Sequence, residues 1–125
     1  MRLLAIFTIT LLLTTQVVAK EFPETVMVTY QIKPHQEETL KLVLAKHWQT
    51  AQQLGLVHTT PHLVIQGGEP DKSYIVEIFT WRDSSVPDNA PKEITDLWRL
   101  MRELTESRDG KPALDFTAVE IVSVK

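Results

Sequence analysis

Hydrophobic positions along this chain pass twice from a period of two to a spacing of three and four and back. From Thr25 to Lys33 the sequence TVMVTYQIK places Val26, Val28, Tyr30 and Ile32 on alternate residues, which predicts a strand. Pro34 cannot continue a central strand and suits a helix start. Leu40, Val43, Leu44, His47, Trp48, Ala51 and Leu54 then mark one face of a helix, with Gly55 as its stop. His62–Gln66 is short and β-rich, and the turn-forming GGEPDK leads into SYIVEIFTW, residues 73–81, so a hairpin is expected there. Residues 82–93, RDSSVPDNAPKE, carry no period. Ile94, Leu97, Trp98, Met101 and Leu104 restore helical spacing within 93–108, and Asp109, Gly110 and Pro112 end it. LDFTAVEIVSV, 114–124, is the last predicted strand. The order is β-α-β-β-α-β, an α+β ferredoxin-like domain with a four-stranded antiparallel sheet.

Both helices of that topology cover one face of the sheet. A sheet with its other face in water normally makes that face polar. Here Ile75, Phe79 and Trp81 alternate with Val76, Ile78 and Thr80. Met27 opposes Val26 and Val28, Val64 opposes Leu63 and Ile65, and Val119 and Ile121 oppose Phe116, Ala118 and Val122. Covering ~500 Å² of such surface is worth on the order of 10 kcal/mol before association costs. The pattern therefore predicts a two-fold homodimer through the sheet face.

The first residues follow another logic. Met1-Arg2, the uncharged apolar run Leu3–Leu13 and the small residues before Ala19 have the order of a secretory signal peptide cut after Ala19. The apolar run is well short of the ~20 residues needed to span a bilayer. Residues 20–125 then form one exported domain, periplasmic or secreted. Without Arg2 it has 12 basic and 16 acidic residues, a formal charge of −4. An acidic chain with no basic cluster is unsuited to nucleic acid. The absence of cysteine removes disulfides, thiolate chemistry and lipid attachment.

VTYQIKPHQEETL, YIVEIFTWRD and LWRLM together resemble the antibiotic-biosynthesis-monooxygenase-like domains of the dimeric α+β barrel superfamily. In those domains the first strand ends in Lys-Pro-Gly, and the third ends in an aromatic residue followed by a charged pair. Lys33-Pro34-His35 departs from the first pattern by a histidine, while Trp81-Arg82-Asp83 fits the second. The resemblance covers residues 20–125. It implies two sheets facing each other across a dimer, with a small-molecule cavity between sheet and helices of each subunit. It also implies cofactor-independent oxygenation of an aromatic or enolisable substrate. Haem-degrading members place a haem-ligating histidine on the second helix, and Ile94–Arg108 contains none. No cofactor is expected.

Several side chains are candidates for chemistry. His47, on the apolar stripe of the first helix, is either a general base or ligand anchor, or an interfacial or hydrogen-bonded core histidine. Glu77 shares the sheet face of Ile75 and Phe79, so it serves as a base in a cavity or as one half of a cross-strand ion pair at the dimer interface. Glu120 admits the same alternatives. Trp48, Phe79 and Trp81 are the expected cavity walls, with Thr29 and Gln31 of the first strand as further ligand-binding positions. Trp98 falls on an inward helical stripe, where core packing is the ordinary role. The loop 82–93 is either a lid or a solvated connector. His58 and His62 are four apart, but Pro61 prevents a helix between them, so no metal site is expected. Against all of these stands a structural or partner-binding dimer with no ligand at all.

Overall fold

The computed structural model describes residues 22–125. The expected leader and its cleavage point after Ala19 lie outside the described residues. Elements run in the order β1 (Glu24–Gln31), α1 (Glu37–Gln53), β2 (Val57–Glu69), β3 (Lys72–Trp81), α2 (Lys92–Glu103) and β4 (Leu114–Ala118). One antiparallel sheet has the strand order β2-β3-β1-β4, and the domain is ferredoxin-like. No helix among the described residues is long and apolar enough to cross a membrane.

The core lies between the sheet and the two helices. Val26, Val28, Tyr30 and Ile32 of the β1 line and Ile75, Phe79 and Trp81 of β3 are all buried. Leu40, Leu44 and Ala51 of α1 and Ile94 and Met101 of α2 close over them. This is the face predicted from the alternation along β1 and β3. On the opposite face Met27, Val76 and Ile78 are half-buried, whereas Leu63 and Ile65 of β2 are about half exposed at 50% and 51%.

The junction of β1 and α1 explains the histidine at position 35. His35 has φ +66°, the left-handed region that glycine enters without penalty. The residue that replaces glycine in the Lys-Pro-Gly pattern thus keeps the glycine conformation, and histidine is among the side chains that tolerate it.

Three element boundaries differ from the sequence expectation. β2 begins at Val57 rather than His62, and the six residues from Val57 to His62 lie opposite only three of β3, from Trp81 to Phe79. This bulge holds Pro61, whose missing N–H is harmless on an edge strand. α2 ends at Glu103, five residues earlier than its pattern suggests. There Thr105 turns its hydroxyl onto the Met101 carbonyl at 2.8 Å and bridges to Ile32, while Lys33 N–H donates to the Leu104 carbonyl. β4 stops at Ala118 because its neighbour stops: β1 starts at Glu24, and the Val119 N–H donates the last bond, to Thr25. Beyond it Ile121, Val122 and Val124 are exposed.

The segment 82–91 is anchored at its middle, with Arg82, Ser84, Asp88 and Asn89 exposed around one buried residue. Val86 is buried in the core, Pro87–Asn89 forms a single 3-10 turn, and the Asp83 carboxylate accepts from the backbone N–H and hydroxyl of Ser85.

Candidate functional site

A cavity of about 510 Å³ opens between the inner face of the sheet and α2. Its walls are aromatic: Phe79 and Trp81 from β3, Trp98 from α2 and Phe116 from β4, with the buried Tyr30 and His47 also in its lining. The rim carries Glu24, Asp88 and Arg102, and the 3-10 segment contributes Ser84 and Pro87. The loop after β3 therefore builds a fixed lip of the site.

His47 is the centre of this arrangement. Only 2% of it is exposed, and its ring meets Phe79 and Trp81 edge-on at centroid distances of 6.2 and 6.1 Å. The Trp98 indole N–H donates to His47 Nε2 at 3.0 Å. His47 Nδ1 has no hydrogen-bond partner among the described residues. Burial holds the imidazole below its ordinary pKa of 6.5; nearby Glu77 opposes that shift and His62 adds to it.

Stability should show this. Between the unfolded value near 6.5 and the lower folded one, the unfolded chain binds a proton at His47 that the folded chain does not. His47 thus imposes no penalty above about pH 6.5 and destabilises progressively as pH falls below it. Melting temperatures from about pH 7 down to pH 5 are expected to drop more steeply for the native chain than for His47→Gln. Equal slopes would mean that His47 titrates alike in both states.

Glu77 occupies a second polar cluster behind the cavity wall. It is completely buried. Its Oε1 accepts from the Tyr30 hydroxyl at 2.9 Å, and its Oε2 lies 3.0 Å from His62 Nε2. His62 stacks flat on Trp48, 3.7 Å between centroids and 6° between planes, and its side chain keeps 24% exposure. Burial first, and then the charge and hydrogen bond of Glu77, raise the Tyr30 pKa well above its usual value, so the phenol keeps its proton.

The structure thus divides the candidate residues. His47, Phe79 and Trp81 meet at the cavity as expected. Glu77 is not among the lining residues; it lies on the helix-covered face, away from any sheet-face interface, and its carboxylate contacts Tyr30, which does line the cavity, and His62. Trp48 backs His62 instead of forming a cavity wall. Thr29 and Gln31 fall on the opposite sheet face, since Val28 and Tyr30 point inward and side chains alternate. Glu120 lies past the end of β4, exposed. Tyr30 and Phe116 line the cavity but were not among the sequence candidates, and Trp98, assigned to core packing, lines it as well. His62 is a partner of Glu77 rather than of His58, and no group of three metal-binding side chains occurs among the described residues.

Solved structures share this arrangement of elements. The chain aligns with a protein described as an antibiotic biosynthesis monooxygenase at a TM-score of 0.59 and 17% identity, covering 80% of this chain and 99% of that one. Its fold is that of the antibiotic biosynthesis monooxygenase-like domains. A conserved protein from Methanosarcina mazei Go1 aligns at a TM-score of 0.60 and 12% identity, over 78% of this chain and 90% of the other. Rv0793 from Mycobacterium tuberculosis aligns at 0.57 and 10%, over 82% and 98%. No protein-family profile matches the sequence, and no curated protein does.

Proposed function

We propose that this chain is an exported small-molecule-binding domain, and that it works as a homodimer built through the helix-free face of the sheet. The observation that carries the binding role is the cavity: about 510 Å³ walled by aromatic rings, with the buried His47 among its lining residues. Apolar walls with a few placed polar atoms are the usual make-up of a ligand site, and the volume falls in the usual range. A dimer serving only as scaffold would fill that space with side chains. The activity that suits the site, and that the fold resemblance supports, is cofactor-independent oxygenation of an aromatic or enolisable substrate. The ring walls would orient and desolvate such a molecule, and the Tyr30–Glu77 pair is the polar group nearest to proton chemistry.

The test is a thermal-shift screen of residues 20–125 against planar aromatic ketones, phenols and quinones, with oxygen uptake measured for every binder. A ligand at one hundred times its dissociation constant stabilises the folded state by about 2.7 kcal/mol. At least one compound of these classes is expected to raise the melting temperature, and to lose that effect when Trp81→Ala opens the wall. A screen in which no such compound stabilises the protein would sink the binding role; binders that consume no oxygen would remove the oxygenase role alone.

A further inference from the structure

Taken as the ligand site proposed above, the cavity has a preference of charge. Its walls include four aromatic rings, Phe79, Trp81, Trp98 and Phe116. The face of such a ring carries negative partial charge and attracts a cation, which an aliphatic wall does not do. Phe116 stands open: it is 61% exposed, and its pairing opposite Val28 places it on the helix side of the sheet, where a sheet-face dimer would not cover it. Glu24 and Asp88 belong to the rim, and no ion pair among the described residues engages either carboxylate. Arg102 is the one basic side chain of the lining besides His47, and it pairs with neither of them. His47 adds no positive charge at neutral pH, because burial holds its imidazole below 6.5.

The polar groups of the wall disfavour the opposite charge. The Trp98 N–H is given to His47 Nε2 and the Tyr30 hydroxyl to Glu77, so neither donor is left for an anion. The first of these bonds also occupies the Nε2 lone pair. An ammonium bearing N–H groups would therefore give up water without finding that acceptor free. We infer that the cavity selects an organic cation whose nitrogen is fully alkylated: a compact apolar molecule with a quaternary ammonium group held among the rings and balanced by Glu24 and Asp88. Such a head group has no N–H to satisfy, and aromatic walls are the usual means of holding it. Two carboxylates against one guanidinium also draw cations toward the mouth from solution. The inference rests on the binding role and narrows its ligand class, and it is independent of any reaction with oxygen.

Three probes share a benzene ring and a tetrahedral head group but differ in charge: trimethylphenylammonium, benzenesulfonamide and benzenesulfonate. Affinities for residues 20–125 come from tryptophan fluorescence, since Trp81 and Trp98 line the cavity. The cation is expected to bind about 10-fold tighter than the anion or more, with the neutral sulfonamide between them. Each rim carboxylate supplies about 3-fold of that ratio through a solvent-like dielectric. Glu24→Gln and Asp88→Asn should therefore each narrow the ratio, and Arg102→Gln should widen it. Raising the salt from about 0.02 M to about 0.5 M should narrow it as well. None of these three side chains is buried or ion-paired, so the variants are expected to fold as the native chain does. A sulfonamide or sulfonate that binds as tightly as the cation overturns the charge assignment and leaves the cavity a ligand site. So does a ratio that survives loss of both carboxylates unchanged. Failure of all three probes to bind overturns the binding role and this inference together.

Discussion

Glu77→Ala is expected to lower the unfolding free energy by about 3–5 kcal/mol. Three effects add. The side chain is completely buried, so its removal leaves a void beneath the sheet. The Tyr30 hydroxyl, itself buried, loses its acceptor, and an unmet buried donor costs about 1–3 kcal/mol. His62 loses the other carboxylate oxygen, though its partial exposure lets water compensate. Glu77→Gln keeps the volume and can still accept from Tyr30, so its loss should stay below about 1.5 kcal/mol. Urea unfolding followed by tryptophan fluorescence separates the two. If alanine proves as mild as glutamine, the Tyr30–Glu77–His62 cluster does not hold the sheet face together as described.

Ile65→Asp should abolish the proposed homodimer while leaving the subunit folded. In a single subunit Ile65 is about half exposed and lies on the helix-free face, across from Val76 in the pairing of β2 with β3. A carboxylate there meets water in a monomer and costs little. In a dimer joined through that face it is buried twice, once per subunit, and an unpaired buried charge costs several kcal/mol. The dissociation constant should rise by about 100-fold or more. Light scattering of the native chain at micromolar concentration is expected to give twice the subunit mass, and of the variant the subunit mass, with unchanged far-ultraviolet circular dichroism. A native chain that stays monomeric refutes the association outright.

Much of the fold was legible because its periods are clean. The alternation Val26, Val28, Tyr30, Ile32 and the stripe Leu40, Leu44, His47, Ala51 each settle onto one buried face. The misjudged boundaries are places where a distant backbone intervenes. The helical pattern continues through Leu104 toward Arg108, yet Ile32 and Lys33 claim the chain at Leu104 and Thr105. Strand-like sequence runs on to Val124, yet β1 begins at Glu24, and among the described residues no neighbouring strand continues beyond it to pair with the rest.

The candidate site was legible only by halves. Its inward positions on α1 and β3 follow from the same periods, which is why His47, Phe79 and Trp81 were recognisable. The hairpin register offered one further signal: pairing of Glu69 with Lys72 sets Val64 opposite Glu77 and makes His62 its diagonal neighbour. Trp98 and His47 are fifty-one residues apart on different helices, and no local rule joins them.

Composition and periodicity therefore carried the element types, the buried faces and the greasy second face of the sheet, since these depend on each residue's neighbours two, three or four positions away. Which polar atoms meet, that Glu77 turns to Tyr30 and His62 and His47 to Trp98, depends on how the helices lie across the sheet. That placement is a property of the packed core as a whole, because a crossing angle and an offset are set by many side chains filling one space together.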